Sequence, residues 1–353
     1  MWEDLRRRRT EPLSVPTCIY CKSQTNPFNR DHVIPEAFGT FEPTWSLIDC
    51  VCVQCNQYFG DTIEPILTRD TPEALLRLEY KLKSPSKAQD LHYNRVSLKV
   101  NEPGVWSGAR FEFVSDSIGQ KMIPRPLPQV ALKKKSESDW TWLLEDEISS
   151  ETVERFKGGA PGDIEIKILG TSQEISDRLI TKLKDVGINF RKGEPIVEAL
   201  GVDGKLEAAV TAVMDVSIFR AISKIAFNYV AYLRKPDFVL LPDFDNLRNY
   251  IRYGGQPQWA PVVKPSADPI LADDSRNYQQ THGHLITFDW DSDDHGLFGQ
   301  VSLFNSVNYG VKFCPFYSGV WRHDMTTGHL FDIESRTISA LQATRLRFVT
   351  RGL

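Results

Sequence analysis

The chain reads as an α+β protein in which a small, cysteine-rich N-terminal module precedes a larger α+β domain with an antiparallel sheet and a long central helix. Three observations predict this. Five of the six cysteines fall between residues 18 and 55, four of them as two Cys-x-x-Cys pairs. Residues 206–234 place Ile218, Ile222, Ile225 and Tyr229 at three- and four-residue steps, the spacing of a buried helix that Pro236 ends. The segments 284–290, 298–304 and 309–314 alternate apolar and polar residues across short connections, which predicts an antiparallel meander.

At 353 residues the chain is longer than one domain usually runs, and the expected division is 1–80 and 81–353, with a further break near 200. Hydrophobic residues at 41% and charged residues at 25% are ordinary for a globular core. No apolar run reaches the length of a membrane span, and the basic cluster at the N-terminus has no apolar stretch behind it, so a cytoplasmic protein without a membrane role is expected. The net charge of -4 does not announce a nucleic-acid binder, and residues 1–70 hold seven Lys or Arg against ten Asp or Glu.

Taken in order, the cysteine region forms a compact unit from about 15 to 70. After Cys55, apolar residues recur at helical spacing until Pro65 interrupts them. Residues 81–90 read as a linker, and 109–116 and 128–135 as strands. A strand at 162–170 leads into a helix whose start Thr171 and Glu174 mark as a capping box.

Cys18, Cys21, Cys52 and Cys55 are the strongest chemical signal in the chain. In a reducing compartment such spacing points to a metal before disulfides. Tetrahedral Zn²⁺ takes four thiolates, and each x2 pair supplies two from one tight turn. The bland reading is that some of the four are merely buried thiols. Cys50 is spare and is expected to point into the core. A four-thiolate zinc has no open position for water, so any reaction chemistry must come from what the cysteines hold in place.

Between the pairs lies NRDHVIPEAFG, and Asn56 follows Cys55 directly. Asp31 and Asn56 are oxygen donors suited to a hard divalent cation, and His32 titrates where a general base must. Adjacent residues on a strand face opposite ways, so a bend is required to bring Asp31 and His32 to one site. The competing reading makes His32 a structural histidine in a zinc-binding recognition module.

The order CxxC, DHVIP, Gly39, CxxCN resembles the HNH, or ββα-metal, endonucleases, in the subgroup clamped by a four-cysteine zinc. The resemblance covers about 45 residues. It implies a zinc-stabilised hairpin and helix gripping a catalytic Mg²⁺ or Mn²⁺ distinct from the structural zinc. It implies His32 as general base, Asp31 and Asn56 as ligands of that cation, and nucleic acid, DNA above RNA, as substrate. The middle Asn of the family pattern has no counterpart here; the connecting stretch offers Thr44, Ser46 and Asp49. A role in host defence or a mobile element follows from the family alone, as does a regulatory protein or ligand acting through the C-terminal domain. The alternative is a non-catalytic zinc-knuckle module that binds nucleic acid or protein.

Weaker signals complete the reading. Arg6, Arg7, Arg8 and Arg9 suit phosphate contacts or a solvated charge run equally. Glu64 reads as an outer oxygen of the cation site or, more simply, as a solvated helix carboxylate. Arg220 and Lys224 share one side of the long helix, facing nucleic acid or forming an ordinary polar face. His282 and His284 share one strand face and lack a third ligand, and the acidic turn at 291–294 reads as a hairpin loop.

Overall fold

A computed structural model describes residues 15–82, 96–101, 106–115, 122–158, 162–190, 208–212, 215–255, 262–266, 283–290, 295–305, 307–320 and 326–341. Arg6 to Arg9, His282 and the acidic turn at 291–294 lie outside these residues. Among the described residues no helix is long and apolar enough to cross a membrane.

The protein is α+β and forms two compact units, one from residues 1–83 with 214–353 and one from 84–213. The expected 81–353 domain is therefore divided, and its last 140 residues join the cysteine module in a single unit. The reason is shared apolar surface: Tyr20, Phe38, Trp45 and Phe59 belong to one buried cluster with Ile222, Phe227, Val301 and Phe331.

The first unit opens with strands β1 (Phe28–His32) and β2 (Ser46–Cys52), an antiparallel pair. Helices α1 (Val53–Thr62), α2 (Glu64–Arg69) and α3 (Pro72–Glu79) follow. The helical spacing after Cys55 thus starts earlier, at Val53, and Pro65 sits in the first turn of α2, where a missing N–H is tolerated.

The second unit contains two antiparallel sheets. Strands β3 (Val96–Val100), β4 (Arg110–Ser115), β5 (Met122–Pro126) and β9 (Ala208–Ala212) make one, in the order β5-β4-β3-β9. Strands β6 (Gln129–Lys134), β7 (Thr141–Leu144) and β8 (Ile164–Leu169) make the other, in the order β7-β6-β8, next to helix α4 (Gln173–Asp185). The cap of α4 is Ser172, whose hydroxyl accepts from the Ile175 amide, one residue later than the predicted Thr171 box. The long helix is shorter than predicted: 208–212 is strand, and α5 spans Val216–Arg234, started by Asp215, which accepts from the amides of Ser217 and Ile218. Asp215 closes the first turn where apolar periodicity alone could not mark it.

Helix α5 is buried almost all round and packs against both β2 and α2 of the module and against four strands of the last sheet. Helix α6 (Asp245–Tyr253) follows it. The sheet has six antiparallel strands, β10 (Val262–Ser266), β11 (Gly283–Trp290), β12 (Leu297–Leu303), β13 (Val307–Cys314), β14 (Thr327–Asp332) and β15 (Thr337–Ala340), in the order β10-β13-β12-β11-β14-β15. The predicted meander is its centre, β11 to β13.

Candidate functional site

The knuckle is local. Lys22, with φ 59°, turns the chain after Cys21, and the amides of Lys22 and Cys18 bond the carbonyls of Cys18 and Ser23. Cys52 is the N-cap of α1 and Cys55 lies in its first turn, where helix amides and dipole favour thiolate. The four sulfurs lie within 4.8 Å of one another. Sulfurs about 2.3 Å from a tetrahedral zinc would stand roughly 3.8 Å apart, so the four thiols fit that ion. The hydrogen bond from Cys55 pulls the Cys18 thiol down to about 5, and burial pushes Cys21 up to about 11. Arg252 Nε donates to Cys55 Sγ at 3.3 Å, and the buried Arg248 donates to the Ile19 carbonyl at 2.6 Å, fixing the first turn from α6. Cys50 is buried, and that burial raises its thiol to about 12.

The bend that Asp31 and His32 require comes from an irregular register. Asn29 pairs with Val51 and Asp31 with Leu47, so three residues, Ile48 to Cys50, oppose Arg30 alone. Asp49, with φ 57°, turns the chain inside this bulge. Asp31 is buried against α5 while His32 is half-buried, and both line one cleft of about 300 Å³ with Arg30, Glu36, Asn56 and Glu64.

Each side chain of the cleft is held. Nε2 of His32 is 3.0 Å from Glu36 Oε1, one helical step along the chain. A carboxylate only accepts, so this contact places the ring proton on Nε2 and leaves the lone pair on Nδ1. Ser46, directly across the hairpin, brings Oγ to 3.4 Å from Nδ1. Ser46, one of the three residues the connecting stretch offers in place of the middle Asn, thus stands beside the His32 ring. The Asn56 Nδ2 donates to Asn29 Oδ1 and to the Arg30 carbonyl, both at 2.9 Å. Because a carbonyl accepts only, the amide is oriented by it, and Oδ1 is the atom Asn56 has to offer.

Asp31 is completed from far along the chain. Lys224 Nζ lies 2.9 Å from Oδ1 and 2.8 Å from Oδ2, and Asn228 Nδ2 donates to Oδ2 at 3.0 Å. Asn228 also donates to the His32 carbonyl at 3.0 Å and accepts from Tyr20 Oη at 2.5 Å. Lys224 reaches Glu64 Oε1 at 2.9 Å as well. Burial alone would drive the Lys224 proton off; the carboxylates of Asp31 and Glu64 reverse this and hold the ammonium above a lysine's ordinary value.

The structure therefore brings Asp31, His32 and Asn56 to one cleft beside the four cysteines. Of the two readings of Glu64 the solvated carboxylate is corrected, since this residue lines the cleft, and Lys224 neither faces nucleic acid nor lies on an open polar face but is a buried counterion. Arg220 is likewise committed, donating to Tyr58 Oη and to the carbonyls that end α6. His284 is no ligand: Nε2 donates to the Phe38 carbonyl at 2.8 Å and Nδ1 accepts from the Phe304 amide at 3.1 Å. Lys224 and Asn228 are the residues that reading the sequence missed as parts of the site. Their signal was present, since a lysine and an asparagine four apart inside an apolar helix require buried partners.

The donor set also fits a hard cation. Asp31 Oδ1, bonded to Lys224 alone, keeps a lone pair, and Asn56 Oδ1 lines the same cleft.

No curated protein and no solved structure matches the chain. Residues 18–72 match the HNH endonuclease family, and this segment, with its zinc-fitting cysteines, is an HNH-like module.

Proposed function

We propose that the protein is a metal-dependent endonuclease that hydrolyses phosphodiester bonds in nucleic acid, with DNA as the substrate. The observation that carries this reading is the convergence of His32, Asp31 and Asn56 on one cleft inside the segment that matches the HNH family. His32, its Nε2 proton held by Glu36, offers Nδ1 to take a proton from the attacking water. Ser46 can donate to Nδ1 only at the far edge of hydrogen-bonding range, close enough to steady the ring and too weakly to hold the lone pair against a water proton. Asp31 and Asn56 would hold Mg²⁺ or Mn²⁺, which when bound neutralises the scissile phosphate and the leaving oxygen. The cysteines would hold Zn²⁺ and keep hairpin and helix in register. Two Cys-x-x-Cys pairs kept as zinc thiolates suit a reducing compartment. A regulatory partner or ligand acting through the residues that follow the module, and a host-defence or mobile-element setting, rest on family likeness alone.

One observation favours the second reading, a zinc-knuckle binding module: Asp31 is already paired with a buried ammonium. Zinc-loaded protein on supercoiled plasmid with Mg²⁺ or Mn²⁺, beside His32→Ala, separates the two. Nicking should fall by about 10²–10⁴-fold in the variant while zinc content and thermal melt stay unchanged. Equal nicking by both proteins would remove His32 from the mechanism. Nucleic-acid binding that survives intact with no cleavage under any divalent ion would favour the binding module.

A further inference from the structure

The cleft contains a cation of its own. Lys224 Nζ stands 2.8 Å from Asp31 Oδ2 and 2.9 Å from Glu64 Oε1, bridging the two carboxylates, and its side chain is 2% exposed. The Phe59 ring lies 5.3 Å from the ammonium on another side, and the stem runs through a helix buried almost all round. The ammonium is therefore shielded from water, and the oxygens of Asp31 and Glu64 compensate its charge. Asp31 and Glu64 with Lys224 sum to one net negative charge, where the carboxylates alone would present two.

A divalent ion accepted by Asp31 must share that carboxylate with the ammonium, and two cations on one carboxylate repel strongly where water is scarce. We infer that Lys224 is a resident cation of this site: bridging Asp31 and Glu64, it restricts the cleft to a single, weakly held divalent ion. The inference rests on the nuclease reading of the cleft. It makes Lys224 a positioning residue that works through Asp31, with Glu64 sharing its charge with the same lysine. A purely structural prop predicts the opposite sign. If Lys224 only aimed Asp31, its loss would loosen the carboxylate and weaken divalent binding.

The test is Mn²⁺ titration of the full-length, zinc-loaded protein, followed by the paramagnetic resonance signal of free Mn²⁺. Lys224→Gln keeps an N–H donor for Asp31 and removes the charge. It should bind Mn²⁺ at least about tenfold more tightly than the parent, and Lys224→Met should shift in the same direction. Adding Asp31→Asn should abolish the site in each background. Affinity equal to or weaker than the parent's in both neutral variants, with zinc content unchanged, would overturn the resident-cation role and leave the nuclease reading standing. Absence of any Asp31-dependent Mn²⁺ site in parent and variants alike would overturn both. If the neutral variants unfold without divalent ion, recovery of their thermal transition on adding Mn²⁺ supports the inference, and failure to recover at saturation overturns it.

Discussion

The knuckle and the cleft share the same few dozen residues and are built on opposite plans. All four zinc-fitting thiols come from residues 18–55, brought together by a turn at Lys22 and the first turn of α1. Asp31, His32 and Asn56 of the cleft lie in or next to the same stretch, yet Asp31 is paired only by Lys224 and Asn228, which arrive from α5. A metal clip organises a short segment by itself, since ligand binding supplies folding free energy directly. A buried carboxylate cannot be organised so cheaply. Removing one partner of a buried ion pair costs about 3–5 kcal/mol, a large share of a domain's whole stability.

The sharpest way to break this contrast is to cut the chain at residue 80. The fragment 1–80 should still take up zinc, but it should bind apolar dyes and show no cooperative melt. Residues 1–83 joined to 214–353 by a flexible Gly/Ser linker should restore that melt. A fragment 1–80 that melts cooperatively would show the module to be as self-sufficient as its cysteines.

A smaller effect separates the long-range contacts by pH. Burial holds His284 at about 4, against 6.5 for a free histidine, while its ring bonds the Phe38 carbonyl and the Phe304 amide. The folded form is therefore neutral where the unfolded chain is protonated. Its stabilisation is complete above pH 6.5 and is lost as pH falls from 6.5 towards 4, by roughly 3 kcal/mol. Urea melts of the parent should show a steeper acid loss than those of His284→Gln. The thiolates titrate in both proteins, so the difference between the two curves isolates His284. Identical curves would remove this histidine from the coupling between sheet and module.

The smallest effect is expected at Ser46. Its contact to His32 is long at 3.4 Å, so Ser46→Ala should cost under about 1 kcal/mol, or less than about fivefold in cleavage. A loss as large as that of His32→Ala would make Ser46 a participant in the proton transfer.

What could be read from the sequence follows the same division. That the four cysteines meet, and that Asp31, His32 and Asn56 share one cleft, was legible because all seven lie within one short segment. The meander at β11 to β13 was legible because alternation survives in each strand. The strand at 208–212 was hidden by AAVTA, residues as compatible with the predicted helix as with a sheet, and only Asp215 marks where the helix begins. The bulge at Ile48 to Cys50 has no Gly to announce it, because Asp49 takes the left-handed turn itself. The pairing of Asp31 with Lys224 spans 193 residues and leaves no periodic trace. Only the oddity of a lysine in an apolar helix points to it.

That separation also sets a timetable for the newborn chain. Asp31 leaves the ribosome 193 residues before Lys224, which at about 5–20 residues per second is an interval of roughly 10–40 s. Once Cys55 has followed, the zinc ligands can be complete while the carboxylate beside His32 still has neither of its α5 partners. The cleft is finished only when α5 has been made, and a polypeptide cut short before Lys224 carries the knuckle without the site.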